Sequence, residues 1–507
     1  MCHDQVKAEF GDKTVQDIEP TNEKRQVNSM NVIFAPDFSA RAALRRRVPQ
    51  VRQTMLCGVS ALVAAVAGLA SLPGEADEPA LRVAVFRADA TPPLGSPVAY
   101  APARKIEDPL SARGLVLLGA GKPIVLCAVD WIGIANAGHD AWRAELAQAA
   151  ETTPDRVAVH TLHQHDGPRC DFSAEELLAA HGLGGKRFDA RFAQQTIERT
   201  AAAIRAAVPS PQRVTHLGVG QAEVEKVASN RRLLGPDGKV KLGRMSSCRN
   251  PAAIAAPEGV IDPVLKMLSL WDGARPIVCL SYYATHPQSY YGKGDVTSEF
   301  VGLARAMRET ELAGLPHIHF NGAGGNVAAG KYNDGSPERR PELRDRLAAA
   351  MRKAWDATQK MPLAAADVAW RVVPVRLPLA PHLDAGVLEK RLADETANER
   401  DRLSAASKLA YVRRVQEGRA IELSCLRLKN ACVLHMPGEL FVEYQLAAQQ
   451  VRPGDTVCMA AYGDYGTGYI GTEIAYSQGG YETSAQASNV APGVERVLTE
   501  AVDVLLK

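Results

Sequence analysis

The sequence predicts an α/β fold: a mixed central sheet with flanking helices in one large catalytic domain. Three observations carry that prediction. Between residues 81 and 507, short β-rich apolar runs alternate with amphipathic stretches of helical period, the pattern of layered sheets and helices. With 46% hydrophobic and 23% charged residues, the 507-residue chain can bury a sizeable core, which excludes a collagen, a coiled coil and a disordered chain. No internal repeat and no low-complexity linker divides it.

Along the chain, strands are expected at 81–90, 114–134, 156–162, 213–227, 276–286, 317–322, 425–438 and 455–463, where β-branched and apolar residues cluster. Helices are expected at 139–150, 188–207, 300–312, 340–358, 387–417 and 439–450, where apolar residues recur at helical spacing. The proline-bearing stretch 362–385 is the one internal seam. The charged segment after it, about 384–418, reads as an inserted solvated helix or helical pair.

Residues 1–80 read as a leader. No acid occurs from Phe38 to Gly74, and Arg41, Arg45, Arg46, Arg47 and Arg52 precede an apolar run at 56–72, so 41–76 has the layout of a secretory signal. The expectation is export, to a periplasm or the medium. Membrane anchoring by 56–72 is the alternative, given that a span needs ~18–20 apolar residues. Met30 and Met55 would each give a more ordinary start than Met1. In an oxidising compartment thiols are free to pair. Cys170 and Cys248, in loop-like sequence, are the candidates, whereas Cys127, Cys279 and Cys432 sit in apolar strings as buried thiols. A net charge of +2 excludes a dedicated nucleic-acid binder, and no CxxC pair suggests a cysteine zinc site.

The chemistry-bearing residues collect in five places. His160, His163 and His165 fall together in AVHTLHQHDGPRC, at the end of a β pattern that Asp166-Gly167-Pro168 breaks. On extended backbone His163 and His165 share one face, and strand ends in open α/β sheets are where ligands bind. A metal pair and structural histidines both fit this spacing. His286 is delivered by a strand into a Pro turn beside several tyrosines. GAGGNVAAG is a Gly-rich turn suited to close backbone approach, matching neither the dinucleotide fingerprint nor a P-loop. Pro437-Gly438 breaks a strand, and Glu439 is expected to open a helix. The final segment, AYGDYGTGYIGTEIAYSQGGYE, has the Tyr and Gly density of a concave binding wall. There is no HExxH helix, no GxSxG elbow, no Walker motif and no EF-hand loop.

In order, HQHDGP, SNRR, ATHP, GAGGNVAAG, MPGE and GYIGTEIAYSQGGYE resemble the motifs of the neutral/alkaline non-lysosomal ceramidase family over 81–507. Members of that family carry HTHSGP-type, NR, IHP, GDVSPN and PGE motifs and a Tyr-rich segment in the same sequence. The resemblance implies zinc ligands at His163, His286, Glu439 and Tyr469, with His165, Arg231 and Tyr481 as further active-site residues. It also implies an amide substrate of the N-acyl lipid class, such as ceramide. Zinc suits two imidazoles, a carboxylate and a phenolic oxygen, with room left for water. Tyr481 or His165 would serve a developing oxyanion, and His165 or Asp166 would manage protons.

Two departures bear on mechanism. The family's GDVSPN reads Gly325-Asn326-Val327-Ala328-Ala329-Gly330, so Ala328 replaces the serine and Asn326 the acid. No immunoglobulin-like domain is expected after the Tyr-rich segment. The expected protein is an exported Zn2+-dependent hydrolase cleaving an amide by metal-activated water. Its partner is a small-molecule or lipid-like amide, with peripheral membrane contact and no nucleic acid. The alternatives are hydrolysis of another amide or ester on the same metal site, or a binding protein that kept the scaffold without its chemistry.

Overall fold

The apolar run at 114–134 is interrupted at its middle by Gly119, Gly121 and Pro123 and folds as a hairpin, Ser111–Leu118 against Ile124–Val129. Arg82–Asp89 and then Gln212–Arg213 extend it antiparallel, and Val157–Thr161 adds in parallel on the opposite edge, completing five strands. A second five-stranded sheet repeats the plan. Val264–Asp272 and Arg275–Tyr283 form its hairpin, His216–Glu223 and Gln359–Pro362 extend it, and His317–Asn321 lies parallel at the edge. A third sheet orders Val368–Val375, Ile421–Leu428, Ala431–His435 and Thr456–Ala460, with only the last pairing parallel. The computed structural model describes residues 80–507; the leader expected at 1–80, including 41–76 and 56–72, falls outside them but for Ala80.

Each sheet is thus an antiparallel body with one parallel pair at its edge. A parallel pair needs a crossover. The helices Asn136–Ala149, Glu299–Glu311 and Val442–Val451 lie between the paired strands and supply it. Ile124–Val129, Val157–Thr161, His317–Asn321 and Ala431–His435 are buried along their whole length, as strands covered on both faces must be.

The three sheets share one core. Leu115 and Leu126 come from the first, Leu268, Leu280 and Phe320 from the second, and Leu426 and Val433 from the third. Their outer faces are covered by helices: Trp142 and Ile197 over the first, Phe300, Leu347 and Met351 over the second, Leu498 and Val502 over the third. Main-chain bonds close the ring of sheets at its edges. Thr161 N–H donates to Tyr462 O (3.0 Å) and Ala461 N–H to Asn321 O (2.9 Å), while the Asn321 amide donates to Leu162 O.

The α/β class with mixed sheets is therefore what the chain adopts, in one large domain with three main sheets. Several elements differ from expectation. The seam at 362–385 contains Val368–Val375, an edge strand. Val264–Asp272, Phe172–Ala180 and Val494–Leu506 were not foreseen. Within 384–418 lie two helices, Ala385–Ala393 and Glu399–Gln416, the second started by the Asn398 side chain accepting from Arg400 N–H at 2.8 Å. Cys170 is a buried free thiol held against Gly138, so the pairing with Cys248 is not made. Among the described residues no helix is long and apolar enough to cross a membrane.

Phe320 stacks on Tyr282, ring centroids 5.4 Å apart, where the three sheets meet. Phe320→Ala is expected to cost ~3–5 kcal/mol of stability, the range for deleting a buried aromatic, read as a lower midpoint in chemical denaturation.

Candidate metal centre

Each sheet delivers one side chain to the same point from the end of a strand in its parallel pair. His163 follows Val157–Thr161, His286 follows Arg275–Tyr283, and Glu439 follows Ala431–His435. Their ligand atoms lie within 4.8 Å of one another, and all three residues are buried. Glu439 Oε2 is 2.9 Å from His286 Nε2 and 3.2 Å from His163 Nε2.

The protons are accounted for by the main chain. His163 donates Nδ1–H to Ile132 O at 2.7 Å, and His286 donates Nδ1–H to Gly324 O at 2.6 Å. With Nδ1 held by the main chain, each ring turns Nε2 toward the carboxylate, the nitrogen that a metal would take. Tyr465 donates its hydroxyl to Glu439 Oε1 at 2.6 Å, which leaves Oε2 turned inward. Burial lowers the pKa of His286, which favours its neutral ring. Two imidazole nitrogens and a carboxylate oxygen converging on one buried point fit a divalent cation.

Tyr469 sits opposite Glu439 in a two-residue parallel bridge, Glu439–Leu440 with Tyr469–Ile470. Its hydroxyl is 3.1 Å from His286 Nε2 and accepts from Arg231 Nη1 at 3.0 Å. Burial raises the pKa of Tyr469, and Arg231 opposes that rise. Arg231 is itself held by an ion pair to Glu482 (Nε–Oε1 3.0 Å), which also pairs with Arg232 at 3.3 Å. Tyr481 packs edge-on against Tyr469, centroids 5.6 Å apart, with the Arg231 guanidinium 5.9 Å from its ring. His165 Nε2 lies 3.2 Å from His163 Nε2, and Tyr100 steers its other nitrogen at 3.2 Å. Burial lowers the pKa of His165 well below its usual value and keeps the ring neutral.

The seven residues singled out by resemblance therefore gather around one centre, but two local expectations fail. His163 does not lie on extended backbone with His165. It has φ +61°, and its ring stacks at 4.7 Å on Tyr462, which has the same φ. Such conformations in non-glycine residues cost about 1–3 kcal/mol and persist only where surrounding contacts impose them. Glu439 does not open a helix; Gly438, at φ +57°, redirects the chain into the bridge with Tyr469, and the helix starts at Val442. The Asp166 carboxylate accepts Gly292 N–H at 3.1 Å.

The Gly-rich turn acts by close approach, as its composition suggests. A Cβ on Gly325 would overlap the Glu439 carbonyl oxygen, and one on Gly324 would meet the Thr285 backbone. Asn326 is structural: its side chain accepts from Val442 N–H (2.9 Å) and donates to Glu443 (2.8 Å) at the start of that helix. Ala328 is buried in a bridge opposite Ser229. Sequence reasoning missed Tyr100, Tyr465 and Glu482. The last two sit in the Tyr-rich segment, but no spacing separates them from its other tyrosines and acids.

No protein-family model matches the chain, and no curated protein matches it. Among solved structures, neutral ceramidase from Pseudomonas aeruginosa superposes with a TM-score of 0.61 at 17% identity, covering 84% of this chain and 74% of that one. The chain has the neutral ceramidase fold. A ceramidase complexed with C2 gives the same figures. Within this fold Ala328 leaves no nucleophilic side chain at its position, and its methyl is sealed from solvent.

Three outcomes follow from the geometry. Tyr465→Phe removes the donor that orients Glu439 and should weaken metal affinity by ~10–100-fold in a competition assay, as partners of metal ligands generally do. Gly325→Ala should displace the Glu439 segment and lower metal content in a chain that still folds, measured by elemental analysis and circular dichroism. Burial pushes the Asp166 carboxyl up to about 7, so the folded state holds a proton that the unfolded state releases near pH 4. The stability this confers is lost as pH rises through 7. Asp166→Asn keeps the acceptor for Gly292 and should gain stability over the parent between pH 5 and 8, by up to roughly 2–4 kcal/mol in denaturant titrations.

Proposed function

We propose that this protein is a zinc-dependent hydrolase of an amide bond in an N-acyl compound of the ceramide type. The observation that carries the reading is the convergence of the His163 and His286 lone pairs on Glu439, inside a fold whose solved examples include ceramidases. His163, His286, Glu439 and Tyr469 would hold the ion. Zinc in such a site supplies Lewis acidity toward a carbonyl oxygen and brings the pKa of a water near neutrality.

The chain's own groups divide the remaining work. His165, neutral and oriented by Tyr100, takes and returns a proton at Nε2. Tyr481, beside Tyr469 and Arg231, offers a phenolic O–H to the oxygen on which charge develops. Arg231 fixes the Tyr469 oxygen and is fixed in turn by Glu482. Since Ala328 cannot form an acyl-enzyme, water attacks directly. The segment 41–76 would direct the chain out of the cytoplasm, which N-terminal sequencing of the secreted product checks.

Ala328 also favours a second reading, a binding protein that keeps the metal without turnover; four retained ligand positions oppose it. Metal analysis of chelator-free protein should find about one zinc per chain, and His163→Ala with Glu439→Ala should abolish both the metal and the release of fatty acid from N-acyl lipids. Full activity in that double variant would overturn the reading. Zinc with no hydrolysis across N-acyl and ester substrates would favour the binding protein.

A further inference from the structure

Among the described residues, two arginines beside the metal centre have no paired counter-charge. Arg169 lies in a two-residue strand, Arg169–Cys170, opposite Gly133 in a parallel bridge with Gly133–Ile134. That bridge is part of the wall of the site. The Tyr465 ring packs so tightly over Gly133 that a Cβ there would lie 2.8 Å from it. Ile132 N–H donates to Pro168 O at 3.1 Å, and Ile132 O in turn holds His163 Nδ1. Arg187 stands just before the helix Ala190–Ala207, near enough to feel Arg169, Tyr465 and Tyr100.

Among the described residues neither guanidinium makes a hydrogen bond or an ion pair, and the Nε of each is buried without a partner. Arg187 lies over the ring of its neighbour Phe188, at 5.8 Å. Asp171, whose charge reaches Arg187, has its oxygens engaged by Asn136 (2.7 Å) and by Ala174 N–H (3.1 Å). Other buried arginines are treated differently: Arg113, Arg231, Arg305, Arg340 and Arg414 each face a carboxylate, and Arg244 spends its donors on main-chain carbonyls. Burial and Arg169 both disfavour the charge on Arg187, yet a guanidinium keeps its proton in proteins. Two like charges with unanswered donors, near enough to repel one another in a partly desolvated wall, are an arrangement that an incoming anion relieves, and guanidinium forks match a carboxylate or a phosphate.

We propose that Arg169 and Arg187 form a receptor for an anionic group, carboxylate or phosphate, carried by the substrate close to the bond that is cleaved. The inference rests on the hydrolase reading and narrows it: the preferred substrates are acidic amides, such as N-acyl amino acids or N-acyl phosphoethanolamines, over neutral N-acyl lipids.

The test compares matched pairs on the zinc-loaded enzyme, following release of lauric acid: N-lauroylglycine against N-lauroylglycinamide, and N-lauroyl phosphoethanolamine against N-lauroylethanolamine. The anionic member should be favoured by roughly tenfold to hundredfold in kcat/KM, the effect of hydrogen bonds to a charged group. The better of the two anionic substrates identifies the group. In Arg169→Gln plus Arg187→Gln the anionic-to-neutral ratio should fall toward one. Equal rates for charged and neutral members in the parent enzyme would overturn the receptor and leave the hydrolase standing. If no substrate is hydrolysed, titration calorimetry with N-lauroylglycine and N-lauroylglycinamide decides instead. Anion-selective binding lost in the double variant supports the receptor, and unselective binding overturns it. Should the double variant fail to fold, the selectivity of the parent enzyme decides the question by itself.

Discussion

Two imidazole lone pairs and a carboxylate oxygen aimed at one another, out of reach of bulk water, form an arrangement that a protein does not tolerate without positive charge between them. The rest of this molecule can be understood as what holds that unfavourable convergence in place. The main chain enforces it first, because the carbonyls of Ile132 and Gly324 capture the Nδ1 hydrogens and fix which nitrogen each ring presents. Tyr465 and Arg231 enforce it next, by setting the free direction of Glu439 and of the Tyr469 oxygen. Buried polar groups are retained only where their hydrogen-bonding capacity is met, and here the unmet remainder points inward.

The backbone carries part of the cost. His163 and Tyr462 both adopt left-handed conformations and stack on each other, and Gly438 turns the chain so that Glu439 pairs with Tyr469. Such strain is sustained by its surroundings: His163 and Gly438 follow strands buried along their whole length, and the sheets are bonded to one another through Thr161, Ala461 and Asn321. On the hydrolase reading, recognition of a substrate would fall to the walls around the centre. Those walls depart from a purely apolar lining. Arg169, Arg187, Tyr100 and Tyr291 give one side of the centre a polar and aromatic character.

Much of this was legible in the sequence, for identifiable reasons. The strands and crossover helices announce themselves because burial on one or both faces leaves a periodicity, and histidines at strand ends stand out against apolar runs. Legibility failed where geometry depends on one torsion angle or on a distant contact. Nothing in HQH tells that His163 is left-handed, and nothing in MPGE tells that Glu439 pairs with a tyrosine thirty positions later instead of opening a helix. Tyr465 and Glu482 were invisible for a different reason: they lie in a segment so rich in tyrosine, glycine and acid that composition gives no way to choose among them. Val368–Val375 was hidden by its proline, which an edge strand accommodates and a central one would not.

The distribution of the ligands over three sheets has a bearing on how the molecule matures. His163 is made early in the chain, His286 midway and Glu439 near the end, and none of them alone offers more than a weak perch for an ion. The pocket exists only once the last sheet has docked against the first two, so an ion taken up there would be loaded as the closing act of biogenesis. Such an ion would be a rivet joining the three layers, and its escape would require one of them to come away from the others.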